Sequence, residues 1–154
     1  MGPELEPYDS TADTLQHISE VGIVIDKFRE MLAYRASVHD QSKLRPPEKE
    51  VFDKFTPKLR VLTYGSAEYK ESLEGLGVAL RHHYAVNSHH PEHFEDGIAG
   101  MNLIDLVEMF ADWAAAVKRH TDGDLRMSIE HNRKRFVIDN QLVRIFANTV
   151  ELLE

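Results

Sequence analysis

The 154-residue chain has no cysteine, so disulfides, thiolate zinc sites, iron–sulfur clusters and cysteine nucleophiles are all excluded. Basic residues are the minority, 18 Lys and Arg against 26 Asp and Glu. A net charge of −8 argues against duplex nucleic acid as a partner, which needs a clustered basic surface. It leaves room for a small phosphorylated substrate, because a bound metal reverses the local sign of a site. No apolar run approaches the roughly 18 residues of a membrane span. The opening MGPELEPYDS lacks a basic n-region and an apolar stretch, and its Pro3 and Glu6 fit a myristoylation signal poorly. The expectation is a cytoplasmic protein with no membrane partner. Alternating strand patterns, hairpin signals and internal repeats are also missing.

What is present is the composition of an ordinary globular protein, 42% hydrophobic and 29% charged, with length for one well-filled core. Residues 1–10 read as a flexible lead-in and 11–154 as a single all-α domain of six or seven helices. Leu15, Ile18, Val21, Ile25, Phe28 and Leu32 recur at helical steps after an N-cap at Ser10 or Thr11, and that helix is expected to reach about Lys43. Pro47 is expected to open a short helix carrying Val51, Phe52 and Phe55, which Pro57 should interrupt. A loop over 57–66 turns at Tyr64-Gly65-Ser66, with Ser66 capping a helix through Tyr69, Leu73, Leu76 and Leu80. Residues 88–101 should be an irregular loop. Asn102 caps a strong helix bearing Leu103, Leu106, Val107, Phe110, Trp113, Ala114 and Val117, and two further helices follow at about 124–137 and 140–152. The last carries Leu142, Ile145, Phe146, Val150 and Leu153 on one side, a surface for a homodimer or equally for the core.

Histidine is unevenly placed: five of nine, His82, His83, His89, His90 and His93, fall within twelve residues. A His-rich stretch is most simply an exposed polar loop, and His93 is read that way. His83 and one of His89 or His90 are read as metal ligands. His39-Asp40 offers an imidazole nitrogen and a carboxylate oxygen to one divalent ion. The plainer account is a solvated helix end with Asp40 paired to Lys43. His17, on the first helix, is most simply a hydrogen-bonded core residue. Asp112 sits beside an apolar stripe and shares a helix face with Asp105 and Glu108. Three acids so spaced either point outward together or gather round a cation that relieves their repulsion.

Together His17, His39-Asp40 and Asp112 resemble the H…HD…D signature of the HD-domain superfamily of metal-dependent phosphohydrolases. HD-x-S-K also looks like the HD-x-G-K of the HD-GYP phosphodiesterases, with Lys43 in the lysine position. More closely, the chain resembles a family of small uncharacterised HD-like proteins of phages and bacteria. The shared pattern is an early His (His17), HD-x-SK-x-x-x-x-E (His39, Asp40, Ser42, Lys43, Glu48), HH…N-x-HH (His82, His83, Asn87, His89, His90) and EM-x-x-DW (Glu108, Met109, Asp112, Trp113). It departs from the HD-GYP enzymes in the short interval between the histidine pairs and in lacking a GYP tripeptide.

The resemblance implies an HD-type helical domain holding one or two divalent ions (Mn, Fe, Co, Ni, Mg or Zn) on His17, His39, Asp40, His83, His89 or His90, and Asp112. His17, His39, Asp40 and Asp112 should then converge with donor atoms about 2.0–2.4 Å from a common ion. It further implies hydrolysis of a nucleotide or related small phosphoester. Asp40 would bridge two ions, Lys43 would stabilise phosphoryl charge and His82 would donate to a phosphate or leaving group. Glu48 would accept a proton or support a ligand, or else serve only as a first-turn acid. Arg35, Arg45, Arg81 and Lys118 are further candidates for phosphate contact, or plain surface charges. Two other outcomes are carried forward: an HD-fold di-iron oxygenase, and an inert module that binds a nucleotide or a protein.

Overall fold

The structure, a computed structural model, describes residues 8–61, 67–119 and 123–153, the side chains of 59, 60, 69 and 73 excepted. Six α-helices account for most of these residues: α1 (Thr11–Val38), α2 (Glu48–Val61), α3 (Ala67–Val86), α4 (Leu103–Val117), α5 (Leu125–Phe136) and α6 (Asn140–Val150). No strand occurs among the described residues, and the fold is all-α. No described helix is long and apolar enough to cross a membrane.

The chain divides into two compact units, residues 1–37 and 38–154. The first is α1. Its start follows from local chemistry: the Asp9 side chain accepts from the Thr11 N–H at 3.0 Å, the Ser10 carbonyl accepts from Thr14, and Asp13 places negative charge in the first turn. None of its residues is buried.

The second unit opens with a tight turn. Regular helix stops at Val38, short of the expected Lys43, because Asp40 adopts the left-handed conformation and Gln41–Leu44 winds as a 3-10 turn. Helix α2 then begins at Glu48, after Pro47 rather than on it, and runs through Pro57 to Val61, where a break at Pro57 was expected. Proline forfeits one backbone hydrogen bond inside a helix, but packing on a neighbour can carry the element past it. Here α2 lies against α3 so closely that a Cβ on Gly75 would overlap the Phe55 ring. The turn expected at Tyr64-Gly65-Ser66, the side chains of Tyr69 and Leu73, and the lead-in before residue 8 lie outside the described residues. The segment expected as an irregular loop contains two 3-10 turns, Pro91–His93 and Gly97–Gly100.

Helices α4, α5 and α6 form the core. Asn102 caps α4 as the sequence leads one to expect: its side chain accepts from Ile104 and Asp105, while Asp105 accepts from the Asn102 N–H in return. Asp124 caps α5 by accepting from the Arg126 and Met127 N–H groups, and Asp139 caps α6 by accepting from Gln141. Met109, Phe110 and Trp113 of α4 meet Ile129, Ile138, Phe146 and Val150. Phe110 stacks on Phe146 with ring centroids 5.1 Å apart, and Trp113 meets the same ring edge-on at 5.7 Å. The C-terminal apolar side is therefore mainly core: Phe146 and Val150 are buried and Leu142 packs on them, leaving Ile145 and Leu153 exposed.

Candidate metal centre

Four stretches of the second unit bring their polar side chains to one place. His39 and Asp40 stand in the turn after α1, Glu48 is the first residue of α2, His82 and His83 lie in the last turns of α3, and His89 and His90 follow that helix. Helix α4 contributes Glu108 and Asp112, one residue away from Met109 and Trp113. The core thus orients the acidic face, which turns inward: Asp105 and Glu108 are buried and Asp112 is partly buried.

Two carboxylates hold four imidazoles. Glu108 Oε1 lies 2.8 Å from His39 Nδ1 and 3.0 Å from His89 Nδ1. Glu48, with 0% exposure, places Oε1 2.7 Å from His82 Nδ1 and Oε2 3.0 Å from His83 Nδ1. The Ser42 hydroxyl also donates to Glu48, and the Asn87 amide donates to Ser42 and to the His83 carbonyl. An ionised carboxylate only accepts, so each of these Nδ1 atoms carries the proton and each Nε2 of a neutral ring presents a lone pair.

Those lone pairs face the oxygens of Asp40. His83 Nε2 is 3.3 Å and His89 Nε2 3.6 Å from Asp40 Oδ1; His39 Nε2 is 3.6 Å from Asp40 Oδ2 and 3.6 Å from Asp112 Oδ1. His90 Nε2 lies 2.8 Å from His83 Nε2. Acceptors turned toward acceptors repel unless a cation or a proton lies between them. Consistent with this, Asp40 Oδ1 and His89 Nε2 are buried with no hydrogen-bond partner, the kind of orphaned pair that an ion would satisfy. The donor atoms of Asp40, His83, His89 and His90, and those of His39, Asp40 and Asp112, lie within 4.8 Å of one another. This cluster could bind a metal ion, and the second ring nitrogens of His39, His83 and His89 are tied down as ligating histidines generally require.

Electrostatics keeps Asp40 and His90 in ligating form. Burial alone would raise the Asp40 carboxyl, but the neighbouring His83 ring and the Lys43 ammonium, 2.6 Å from Oδ2, outweigh it and hold the group below the ordinary carboxylate range. Burial, with His89 and His83 close by, pushes His90 down to about 3. Lys43 does pair with Asp40, as the plainer account of the HD motif has it, yet inside the cluster rather than on a solvated helix end.

A family comparison matches residues 6–153 to DUF5662, described as a family of unknown function. The chain belongs to DUF5662. No curated protein and no solved structure matches it. In this DUF5662 chain the turn after α1, the start of α2, the end of α3 with its following turn, and α4 bring together His39, Asp40, Lys43, Glu48, His82, His83, His89, His90 and Asp112. Both His89 and His90 join, where only one was expected. His17 lies in the first unit as an exposed residue of α1. His93 is exposed, its Nδ1 against the Tyr84 carbonyl. Glu108, expected either to point outward with Asp105 and Asp112 or to gather with them round a cation, seats two imidazoles. Asp105 accepts from Ser88 at 2.7 Å and so ties the histidine turn to the start of α4.

Proposed function

We propose that the chain is a cytoplasmic, HD-type, metal-dependent phosphohydrolase acting on a nucleotide or a related small phosphoester. What supports the reading above all is Asp40, a single carboxylate with His39 and Asp112 on one side and three imidazoles on the other. A carboxylate so placed would hold one divalent ion with His39 and Asp112 and another with the three imidazoles, and such a pair would favour in-line displacement at phosphorus. Bound there, an ion supplies Lewis acidity and brings the pKa of a coordinated water toward neutrality.

The chain's own residues have separate tasks in this reading. Glu48 and Glu108 keep the imidazoles in the ligating tautomer. Lys43, partly exposed beside Asp40, neutralises charge on the phosphoryl oxygens. His82 is held by Glu48 through Nδ1 with its side chain 40% exposed, so that in its imidazolium form its Nε2–H can give a proton to the departing oxygen. The net charge of −8 disfavours a long polynucleotide and favours a small substrate whose phosphate is met locally by metal and Lys43.

The test is a screen of nucleotides and simple phosphoesters with chelator-treated protein resupplied with Mn, Co, Ni, Mg or Zn. Ion-dependent hydrolysis is expected, falling to background in Asp40→Ala and by about 10–100-fold in Glu48→Gln. A metal-loaded protein that hydrolyses no phosphoester overturns the proposal. The nitrogen-rich donor set, with four imidazoles around Asp40, also suits iron, which favours a di-iron oxygenase as the second reading. Coloured protein with two irons per chain that consumes oxygen would replace the hydrolase.

A further inference from the structure

The two sides of Asp40 differ chemically. Toward Oδ1 stand three imidazoles, with His83 and His89 each 1% exposed, and the two buried side-chain atoms without a hydrogen-bond partner among the described residues, Asp40 Oδ1 and His89 Nε2, belong to this side. Toward Oδ2 stand one imidazole and the Asp112 carboxylate, with the side chains of His39 and Asp112 both 28% exposed. On this second side a cation of the protein is already in place: Lys43 Nζ lies 2.6 Å from Oδ2. Three nitrogens and one oxygen in a closed setting suit a borderline transition ion such as Zn²⁺, whereas carboxylates with open positions suit a harder ion such as Mn²⁺.

We propose that the centre loads in order. A resident transition ion occupies the buried side, formed by Asp40 Oδ1, His83, His89 and His90. A weaker, exchangeable hard ion occupies the open side, formed by His39, Asp40 Oδ2 and Asp112, where Lys43 is its competitor for Oδ2. A phosphoryl group that draws Lys43 toward its own oxygens frees Oδ2, so substrate and second ion bind with positive coupling. The inference rests on the metal-centre reading of the preceding subsection and adds to it the order of loading and the antagonist.

The experiment loads chelator-treated protein with Zn²⁺, dialyses it, counts the retained metal by mass spectrometry, and then titrates Mn²⁺ while its free signal is followed by electron paramagnetic resonance. Wild type should keep one zinc and show a manganese step at least about tenfold weaker. Asp112→Asn should lose the manganese step and keep the zinc. His90→Ala should lose zinc on dialysis while circular dichroism stays that of the wild type. Lys43→Gln should tighten the manganese step about tenfold, since a competing charge is gone. Two zincs held equally, or a manganese step unchanged or weakened in Lys43→Gln, overturns the proposal. A chain that retains no ion overturns it together with the metal-centre reading. Ordered loading without phosphoester turnover supports it and removes only the hydrolase.

Discussion

At Asp40 the backbone sits at φ 57°, ψ 12°, a conformation that L-residues other than Asn and Asp seldom adopt. The same residue must bend the chain out of α1 and present two oxygens to the cluster. Asp40→Asn keeps the short polar side chain that tolerates this conformation and loses the charge. It should retain helicity and stability within about 1 kcal/mol by denaturant titration, yet hold no ion. The imidazoles predict a pH response for the metal-free protein. His90 is neutral in the fold down to about 3, while in the unfolded chain it takes a proton near its ordinary value of about 6.5. Between those values the unfolded state binds more protons, so stability rises with pH and is lost as pH falls. Melting temperature should drop from pH 7 to pH 5, and the drop should be smaller in His90→Gln. At this scale the sequence pointed to His39, Asp40, His83 and Asp112 as candidate ligands, because few residue types can serve a metal. It spoke poorly for Glu108, since nothing in a helix face of three acids says that the turn 69 residues earlier will lay an imidazole against one of them.

Helices were legible in proportion to how local their determinants are. The cap read at Asn102 acts through adjacent backbone N–H groups, and α4 begins where it requires; Asp124 and Asp139, not read as caps, start α5 and α6 in the same local way, close to the expected bounds. The passage of α2 through Pro57 was not legible, because it depends on α3. The Phe55–Gly75 contact that marks their approach makes a prediction. Gly75→Val should destabilise the fold by about 1–3 kcal/mol, read as a shift in denaturant midpoint, as the Phe55 ring is forced aside. Asn102→Ala removes a cap worth about 1 kcal/mol. It should also weaken metal retention, because Asp105 in the same capping box anchors Ser88, next to His89.

For the whole molecule, the sequence indicated an all-α chain whose distant histidines and carboxylates assemble, and residues 38–154 carry both the core and the cluster. If an ion binds the native state alone, it stabilises by about 4 kcal/mol at a thousandfold excess over its dissociation constant. Chelation should therefore lower the melting temperature of wild type and leave Asp40→Ala unmoved, as checked by calorimetry. Trp113 is the chain's one tryptophan. Its indole is wedged among the core rings, while the residue before it, Asp112, reaches into the cluster. The protein accordingly carries its own optical probe. Ultraviolet-excited emission arises from a single indole, and a paramagnetic cation such as Co²⁺ seated beside Asp112 should quench it, giving occupancy in real time without a label.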